Sequence, residues 1–229
     1  MDILLPAVEI ETDADPRFAV IWLHGLGADG NDFAPAVPYL RLPAGLGVRF
    51  VFPHAQEIRV TCNGGYIMPA WYDILHADGI AREVDEAGIR ASCRDIRRLI
   101  ARENERGIPS ENIVLAGFSQ GGAMAYTTGL THPQRLAGIV ALSAYIPAPS
   151  LLARHLLEAN QYTPVFAGHG SDDDVVPLAL GGAARDHLQS LGHGVAWHTY
   201  DIAHTVSEAE LADLGAWLAE RFRPAVTTP

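Results

Sequence analysis

Short apolar segments alternate with longer amphipathic segments along this chain of 229 residues, and this alternation constrains the fold more than any other feature. Several of the short segments are almost continuous in Val, Ile, Leu and Phe, which is typical of strands buried on both faces of a parallel sheet. The predicted strands are FAVIWLHG (18–25), VRFVFP (48–53), NIVLAGFS (112–119), AGIVALS (137–143), TPVFAGHG (163–170) and VAWHTYD (195–201).

The amphipathic segments carry apolar residues at helical spacing and are predicted to be helices. The longest covers 83–104 and is expected to end at Gly107, and the others cover 121–131, 178–191 and 207–222. Strands that alternate with helices predict an α/β fold with a central, mostly parallel sheet and helices on both faces. Catalytic groups are then expected in loops at the carboxyl ends of the strands.

Length and composition favour one globular domain over 1–229, with 223–229 as a frayed tail. Hydrophobic residues make up 48% of the chain and charged residues 19%, which is enough apolar material for a core. The net charge of −11 argues against nucleic acid as a partner, because phosphate contacts need clustered Lys and Arg.

Membrane and export signals are also missing from the sequence. There is no basic amphipathic segment and no run near the roughly 18 apolar residues of a membrane span, so stable membrane insertion is not expected. The first residues lack the charge and apolar pattern of a signal peptide, which favours a cytoplasmic location. Cys62 and Cys93 are accordingly expected to be free thiols.

The segment Gly117-Phe118-Ser119-Gln120-Gly121 matches the pattern G-x-S-x-G between a predicted strand and a predicted helix. A serine in this context lies in a strained turn, and the flanking glycines let strand and helix approach closely. The turn exposes the hydroxyl near the helix N-terminus, where backbone amides favour developing negative charge. Ser119 is therefore the candidate nucleophile.

A serine hydroxyl needs a neighbouring base, and the chain contains ten histidines. If the order is serine, acid, histidine, four histidines remain: His187, His193, His198 and His204. The first two are interpreted as surface residues in and after a helix, and the third lies inside the last predicted strand. His204 follows that strand and precedes the last helix, so it can reach over the carboxyl edge of the sheet. It is the predicted base.

Three successive aspartates in HGSDDDVVP (169–177) follow a late predicted strand and supply the acid. Only one of the three side chains can point toward the histidine, so the others face solvent or cap the turn and the next helix. Asp174 is a candidate for that cap. A calcium site is disfavoured, because consecutive carboxylates cannot converge as alternating ligands do. Spacing alone does not decide whether Asp172 or Asp173 is the acid.

The loop HGLG (24–27) follows the first long predicted strand. A His-Gly-rich loop at this position can direct a backbone N–H toward the nucleophile, with the amide of Gln120 as the second donor of an oxyanion hole. His24 itself is interpreted as a structural hydrogen-bonding residue rather than a second base.

Taken together, these motifs resemble the carboxylesterase / acyl-protein thioesterase (phospholipase-carboxylesterase) family of α/β-hydrolases. The resemblance extends over nearly the whole chain, from Phe18 to Phe222. The matching segments are HGLGADGNDF (24–33), FPHA (52–55), NGG (63–65), MPAWYDI (68–74), GFSQGG (117–122), HGSDDDVVP (169–177) and the histidine at 204. MPAWYDI is far more specific to this family than G-x-S-x-G.

The resemblance implies roles for individual residues. The family pattern H-G-x-x-D-x-x-V-P places the catalytic aspartate at Asp173, and the oxyanion hole is implied to be the amides of Leu26 and Gln120. Trp71 and Tyr72 are implied to lie near the substrate cleft, the alternative being that they pack the surrounding loop. The family needs no cofactor or metal, and it includes dimers, so a homodimer is one state that the resemblance allows.

The predicted activity is hydrolysis of a small ester or acyl-chain substrate through an acyl-enzyme on Ser119. A carboxylesterase is the first hypothesis, and an acyl-protein thioesterase or lysophospholipase is the alternative. The segment YDIAHTV (200–206) departs from the residues that relatives often have around the base, which bears on substrate preference. A hypothesis of another class is a protein that binds an acyl ligand without turnover. Two interpretations are left for segment 147–161: a cover over the cleft or an ordinary surface helix.

Overall fold

Eleven strands and five α-helices alternate along residues 4–222, the part of the chain that the computed structural model describes. The strands are β1 (Ala7–Glu11), β2 (Phe18–Leu23), β3 (Val48–Pro53), β4 (Glu57–Val60), β5 (Tyr66–Pro69), β6 (Ile74–Asp78), β7 (Ala81–Val84), β8 (Ile113–Phe118), β9 (Gly138–Leu142), β10 (Val165–Gly170) and β11 (Val195–Tyr200). The helices are α1 (Glu86–Glu105), α2 (Gln120–Leu130), α3 (Pro149–His155), α4 (Leu178–Ser190) and α5 (Glu208–Arg221).

Seven of the strands form one central sheet in the order β1-β3-β2-β8-β9-β10-β11. Every neighbouring pair is parallel except β1 with β3. The six predicted strands are confirmed as β2, β3 and β8 to β11, and the four predicted helices as α1, α2, α4 and α5. The predicted frayed tail, 223–229, lies outside the described residues.

Helices cover both faces of this sheet, and alternate residues of each central strand face the two cores. On β2, Ile21 belongs to the core under α1 to α4, whereas Trp22 belongs to the core under α5. The predicted α/β arrangement is therefore confirmed. The first core contains Ile96 of α1 and Met124 of α2, and the second contains Leu214 of α5.

The antiparallel edge strand β1 was not predicted, because a five-residue segment with two glutamates does not look like a buried strand. The structure pairs these glutamates with arginines from neighbouring elements. Glu11 lies 2.7 Å from Arg49 of β3, and Glu9 lies 2.7 Å from Arg102 of α1 and 3.0 Å from Arg106, the residue that follows α1. The edge of the sheet is therefore held by ion pairs that depend on residues distant in sequence.

Two β-hairpins between β3 and α1 were also missed. Strand β4 pairs with β5, and β6 pairs with β7, each antiparallel and apart from the central sheet. Their strands are short and largely exposed, so they lack the apolar pattern by which the central strands were recognised. Both hairpins lie beyond the carboxyl end of β3, on the side of the sheet where β8 leads into α2.

Helix α5 begins with a side-chain cap and an unusual glutamate. Ser207 accepts a hydrogen bond from the Glu210 N–H at 3.1 Å, and Glu210 stands where a capping-box side chain would reach back to the helix start. Its side chain instead turns inward. Glu210 is fully buried, and within residues 4–222 neither carboxyl oxygen has a hydrogen-bond partner. Burial raises the pKa of Glu210 to about 8, and the negative charge of Asp213 adds to this effect.

This burial predicts a pH-dependent stability. Folded Glu210 keeps its proton up to about pH 8, whereas the unfolded carboxyl ionises near its ordinary pKa of 4.5. The folded state therefore binds more protons between these values, and the Glu210 contribution to stability falls by on the order of 3 kcal/mol as the pH rises. In Glu210→Gln the side chain stays neutral. We expect its unfolding free energy, relative to the unsubstituted protein, to rise from pH 5 to pH 8 in urea titrations.

Glu208→Gln is the matched control, because Glu208 is exposed in the same helical turn. It should change the unfolding free energy by no more than about 0.5 kcal/mol, with little dependence on pH. An equal pH response of the two variants would contradict a buried, protonated Glu210.

Candidate active site

Ser119 is the single residue between the end of β8 and the start of α2. Its backbone is left-handed, with φ of 54° and ψ of −118°, and its N–H donates to the carbonyl of Leu142 at 2.8 Å. A non-glycine residue in this region costs about 1–3 kcal/mol and persists only where its surroundings impose it. The strained turn predicted for G-x-S-x-G is therefore present, and the hydroxyl faces a cleft above the sheet.

The glycines on either side of Ser119 make this turn possible. A Cβ on Gly117 would meet the backbone of Gly121, and a Cβ on Gly121 would meet the carbonyl oxygens of Leu23 and His24. Strand β8, helix α2 and the end of β2 are thus in backbone contact at this point. Any side chain at either glycine would separate them and move Ser119.

Ser119, His204 and Asp173 form a continuous hydrogen-bonded chain. His204 Nδ1 lies 2.7 Å from Asp173 Oδ2, and His204 Nε2 lies 3.0 Å from Ser119 Oγ. Since a carboxylate only accepts, Nδ1 carries the proton and Nε2 is free to accept from the serine hydroxyl. The Phe118 ring packs against the imidazole with centroids 4.8 Å apart. The structure therefore brings together the three residues selected from the sequence.

The alternatives Asp172 and Asp173 are distinguished by burial. Asp172 and Asp174 are exposed, whereas the Asp173 side chain is fully buried. Its Oδ1 accepts from the N–H groups of Val175 and Val176 at 3.0 and 2.7 Å, which leaves Oδ2 for His204. The suggestion that Asp174 caps the next helix was wrong. Helix α4 follows Pro177 without a side-chain cap, and it is Asp173 that fixes the turn.

The other candidate bases lie elsewhere. His198 is in β11, where its ring stacks on Phe166 with centroids 4.9 Å apart. His187 is partly buried in α4. The prediction that His193 is a surface residue was wrong, because its ring is 6% exposed and burial lowers its pKa. The chain folds back from α4 into β11 at this point, and a glycine-flanked histidine gives no signal of that packing.

A second histidine next to the acid was not singled out from the sequence. His169, at the carboxyl end of β10, is buried, and its Nε2–H donates to the carbonyl of Val176 at 2.8 Å. The same nitrogen lies 3.6 Å from Asp173 Oδ2, and burial lowers the pKa of His169. His169 therefore holds the loop around Asp173 as a neutral side chain.

Two residues whose backbone N–H groups have no acceptor within residues 4–222 line the cleft beside the nucleophile. Leu26 and Gln120 line the same cleft as Ser119 and His204. The backbone hydrogen bonds of residues 4–222 outside regular elements include none from either N–H, and Gln120 is the first residue of α2, where an amide has no intrahelical acceptor. Both amides are thus available to an oxyanion.

His24, next to this loop, is structural, as the sequence suggested. Its Nδ1–H donates to Gly25 O at 2.7 Å, and its Nε2 accepts from the Ala55 N–H at 3.0 Å. Burial lowers the pKa of His24, so the ring stays neutral. With both nitrogens engaged, it has no free position for proton transfer.

Trp71 and Tyr72, which the resemblance implied to lie near the cleft, are not among the residues that line it. Both are buried one layer behind it and bind the side chain of Gln120. The Trp71 N–H donates to Gln120 Oε1 at 2.8 Å, and Gln120 Nε2 donates to Tyr72 O at 2.9 Å. Tyr72 also reaches Tyr145, hydroxyl to hydroxyl, at 3.1 Å. These hydrogen bonds tie Trp71 and Tyr72 into the packing of the surrounding loop.

The cleft has a volume of about 380 Å³, and most of its wall was not identified from the sequence. Arg82 of β7 contributes to it, and its Nη2 donates to the carbonyl of Val175 at 2.9 Å. Its guanidinium also lies 5.9 Å from the ring centre of Tyr145. The other side chains that line the cleft include Asp32, Cys62, Asn63, Ile74, Ala77, Phe118 and Val176.

Segment 147–161 forms α3 and a short 3-10 helix, and none of its residues lines this cleft. It is therefore not a cover over Ser119.

Within residues 4–222, no cluster of three or more His, Cys, Asp or Glu side chains is arranged to hold a metal ion. Across the same residues, no helix combines the length and the apolar character needed to cross a membrane. Cys62 is exposed and Cys93 buried, both as free thiols.

The sheet topology, the strained serine turn and the Ser–His–Asp hydrogen bonds together define an α/β-hydrolase fold, as predicted. A family model described as Phospholipase/Carboxylesterase matches residues 6–221. This chain belongs to that family and is a hydrolase of the thioesterase/carboxylesterase class.

Among curated relatives, the acyl-protein thioesterase 1 of Neurospora crassa is 42% identical, covering 96% of this chain and 91% of its own. The acyl-protein thioesterase 1 of Saccharomyces cerevisiae is 40% identical, covering 88% and 92%. Among solved structures, Arabidopsis thaliana SOBER1 superimposes with a TM-score of 0.85 at 29% identity, covering 90% of this chain and 100% of that one. Zea mays acyl-protein thioesterase 2 superimposes with a TM-score of 0.83 at 22% identity, covering 95% of this chain and 99% of that one, which shows a likeness of fold.

The Gln120 contacts predict a stability effect that is separate from chemistry. Gln120→Met keeps the side-chain length but leaves the buried Trp71 N–H and Tyr72 C=O unpaired. We expect the unfolding free energy in urea to fall by roughly 2–4 kcal/mol. The exposed control Gln189→Met in α4 should stay within about 0.5 kcal/mol of the unsubstituted protein. Equal stability of the two variants would show that Gln120 does not tie the loop to α2.

Proposed function

We propose that this protein is a serine hydrolase that cleaves acyl esters and thioesters through a covalent acyl-enzyme on Ser119. The observation that carries the proposal is the hydrogen bond of 3.0 Å between His204 Nε2 and Ser119 Oγ, in a chain that ends on the buried Asp173. A serine hydroxyl is a weak nucleophile until a neighbouring base removes its proton. This geometry supplies that base in the required tautomer.

In the first half of the reaction, His204 takes the Ser119 proton as Oγ attacks the acyl carbonyl carbon. The tetrahedral oxyanion accepts hydrogen bonds from the N–H groups of Leu26 and Gln120. It then collapses, and the bond to the leaving oxygen or sulfur breaks. His204 gives its proton to that atom, so an alcohol or thiol departs and an ester on Ser119 remains.

In the second half, His204 removes a proton from water, and the resulting hydroxide attacks the acyl-enzyme carbonyl. Collapse of the second tetrahedral intermediate returns the proton to Ser119 Oγ and releases a carboxylic acid. Asp173 holds the Nδ1–H tautomer throughout and stabilises the imidazolium that forms twice per turnover. The imidazole of His204 thus takes up and releases a proton twice in one cycle.

The shape of the cleft supports an acyl chain as the group that is bound. Ile74, Phe118 and Val176 give it an apolar wall, and its volume of about 380 Å³ falls within the range for a small organic group. The substrate class is therefore a small ester or acyl-chain compound. Four further properties stay predictions from the sequence: a cytoplasmic location, independence from a cofactor, the absence of nucleic-acid and membrane partners, and a homodimeric state.

A thioesterase is favoured over a plain carboxylesterase by one observation. The curated relatives at 42% and 40% identity are both named acyl-protein thioesterase 1 and match nearly the full chain. A thiol leaving group has an ordinary pKa of about 8.5 and departs far more readily than an alkoxide. We infer that S-acylated cysteine is the favoured substrate.

Fluorophosphonate labelling tests the proposed nucleophile without assuming a substrate. We expect one adduct on Ser119 by intact mass and peptide mapping, none in Ser119→Ala, and strongly slowed labelling in His204→Ala. Asp173→Asn should slow ester turnover by roughly 10³–10⁴-fold, because the imidazole is left in the wrong tautomer. Asp172→Asn, one residue away and exposed, is the matched control and should stay near full activity. A folded protein that remains unlabelled would favour the non-catalytic acyl-binding hypothesis.

A matched substrate pair tests the thioesterase assignment. The same peptide is octanoylated on cysteine in one substrate and on serine in the other, so that only the leaving atom differs. We expect the kcat/KM of the thioester to be at least about tenfold higher, since thiolate departure needs less help from the His204 proton. A higher kcat/KM for the oxygen ester would instead assign a carboxylesterase. Cleavage of neither substrate by a protein that labels on Ser119 would contradict the acyl-chain class.

A further inference from the structure

A second concave site lies at the opposite end of α2 from Ser119. It is a groove of about 450 Å³ between α1, the last turns of α2 and α3. Thr127 of α2 lines it, eight residues beyond Ser119, which places it about 12 Å along the helix axis from the serine. None of the residues that line this groove lines the catalytic cleft.

Arginine dominates the wall of this groove. Arg90, Arg94 and Arg97 follow one another at positions i, i+4 and i+7 of α1, so they form a stripe on one helix face. Arg154 and His155 face them from the last turn of α3. Like charges at this spacing destabilise a helix, so the stripe is unfavourable unless negative charge lies against it. We call this site the arginine groove.

The protein itself supplies little of that negative charge. Glu86 lies 3.4 Å from Arg90 and 3.3 Å from Arg154, and these exposed pairs are weak. Within residues 4–222, Arg94 and Arg97 have no carboxylate within ion-pair distance. The protein carries a net charge of −11, so this concentration of unneutralised cations departs from its overall character.

Arg97 is also held in a fixed orientation. Its Nη2 donates to the backbone carbonyl of Thr131 at 2.6 Å and to the Thr131 hydroxyl at 2.8 Å. The guanidinium is therefore ordered before any ligand arrives, which reduces the entropy lost on binding. Arg97 then offers its Nη1 group to an anion, whereas the exposed Arg94 is able to contact a carboxylate or phosphate through two parallel hydrogen bonds.

The wall of the groove also has an apolar part. Leu156 and Leu157 line it, and Leu157 is 43% exposed. The concave shape and the volume are those of a small-molecule site rather than of a membrane-docking surface, which would present a protruding basic face. A groove lined by both arginine and leucine side chains matches a ligand with a charged head and a short hydrocarbon part.

We propose that the arginine groove binds a small amphiphilic oxyanion. Its carboxylate or phosphate head lies on Arg94 and Arg97, and its alkyl part lies on Leu156 and Leu157. The site is separate from the catalytic cleft, and the proposal does not depend on the activity proposed for Ser119.

Isothermal titration calorimetry with octanoate and octyl phosphate tests the proposal and separates the two kinds of head group. We expect saturable binding of at least one of them, roughly tenfold weaker in Arg94→Gln/Arg97→Gln, because two charged hydrogen-bond donors are lost. Arg135→Gln is the matched control, since it removes the same charge from an exposed position outside the groove. Its affinity should stay within about twofold of the unsubstituted protein.

Two further probes test the parts of the ligand. Inorganic phosphate should bind at least about tenfold more weakly than octyl phosphate, and octyltrimethylammonium should not compete. Equal affinity of the double arginine variant would place the binding elsewhere, for example in the catalytic cleft, and would overturn the proposal. Weakening by Arg135→Gln to the same extent, absence of saturable binding, or equal affinity for inorganic phosphate would overturn it as well.

Discussion

The backbone contact between β8, α2 and β2 at the Ser119 turn is the constraint on which the site depends. Because Gly117 and Gly121 lack side chains, the strand and the helix meet at the closest distance that their backbones allow. Ser119 is then forced into the left-handed region, with φ of 54°. Packing imposes this strain, since all eleven residues of α2 are buried between the sheet and its neighbours. The reactive position is therefore determined by the core rather than by a mobile loop.

The remaining groups are positioned by polar contacts attached to that rigid centre. Asp173 uses one oxygen to hold its own turn and the other to orient His204. Gln120 belongs to α2 through its backbone, and its side chain ties the loop of Trp71 and Tyr72 to the same helix. Each of these buried groups is hydrogen-bonded on more than one side, as burial of polar groups requires. The base and the loop behind the cleft are thus connected to the start of α2.

The distribution of charge separates the two concave sites. The cleft combines an apolar wall with the imidazole of His204, with Arg82 hydrogen-bonded to the Val175 carbonyl at its rim. In the arginine groove, by contrast, Arg94 and Arg97 have no carboxylate partner within the described part of the chain. The arginine stripe is local to α1, and the fold adds Arg154 and His155 to it by packing α3 alongside. The composition alone gives no sign of such a site.

The sequence by itself determined six strands of the central sheet, the four longer helices and the identities of Ser119 and His204. Their signals are local: apolar runs, helical spacing, and glycines around a serine at a strand-to-helix turn. Spacing did not choose between Asp172 and Asp173, and it did not foresee the burial of His193 or place Trp71 and Tyr72 behind the cleft. It also missed β1, both hairpins and Arg82. Only the tertiary structure decided these, because burial and hydrogen-bond partners depend on residues far apart in the chain.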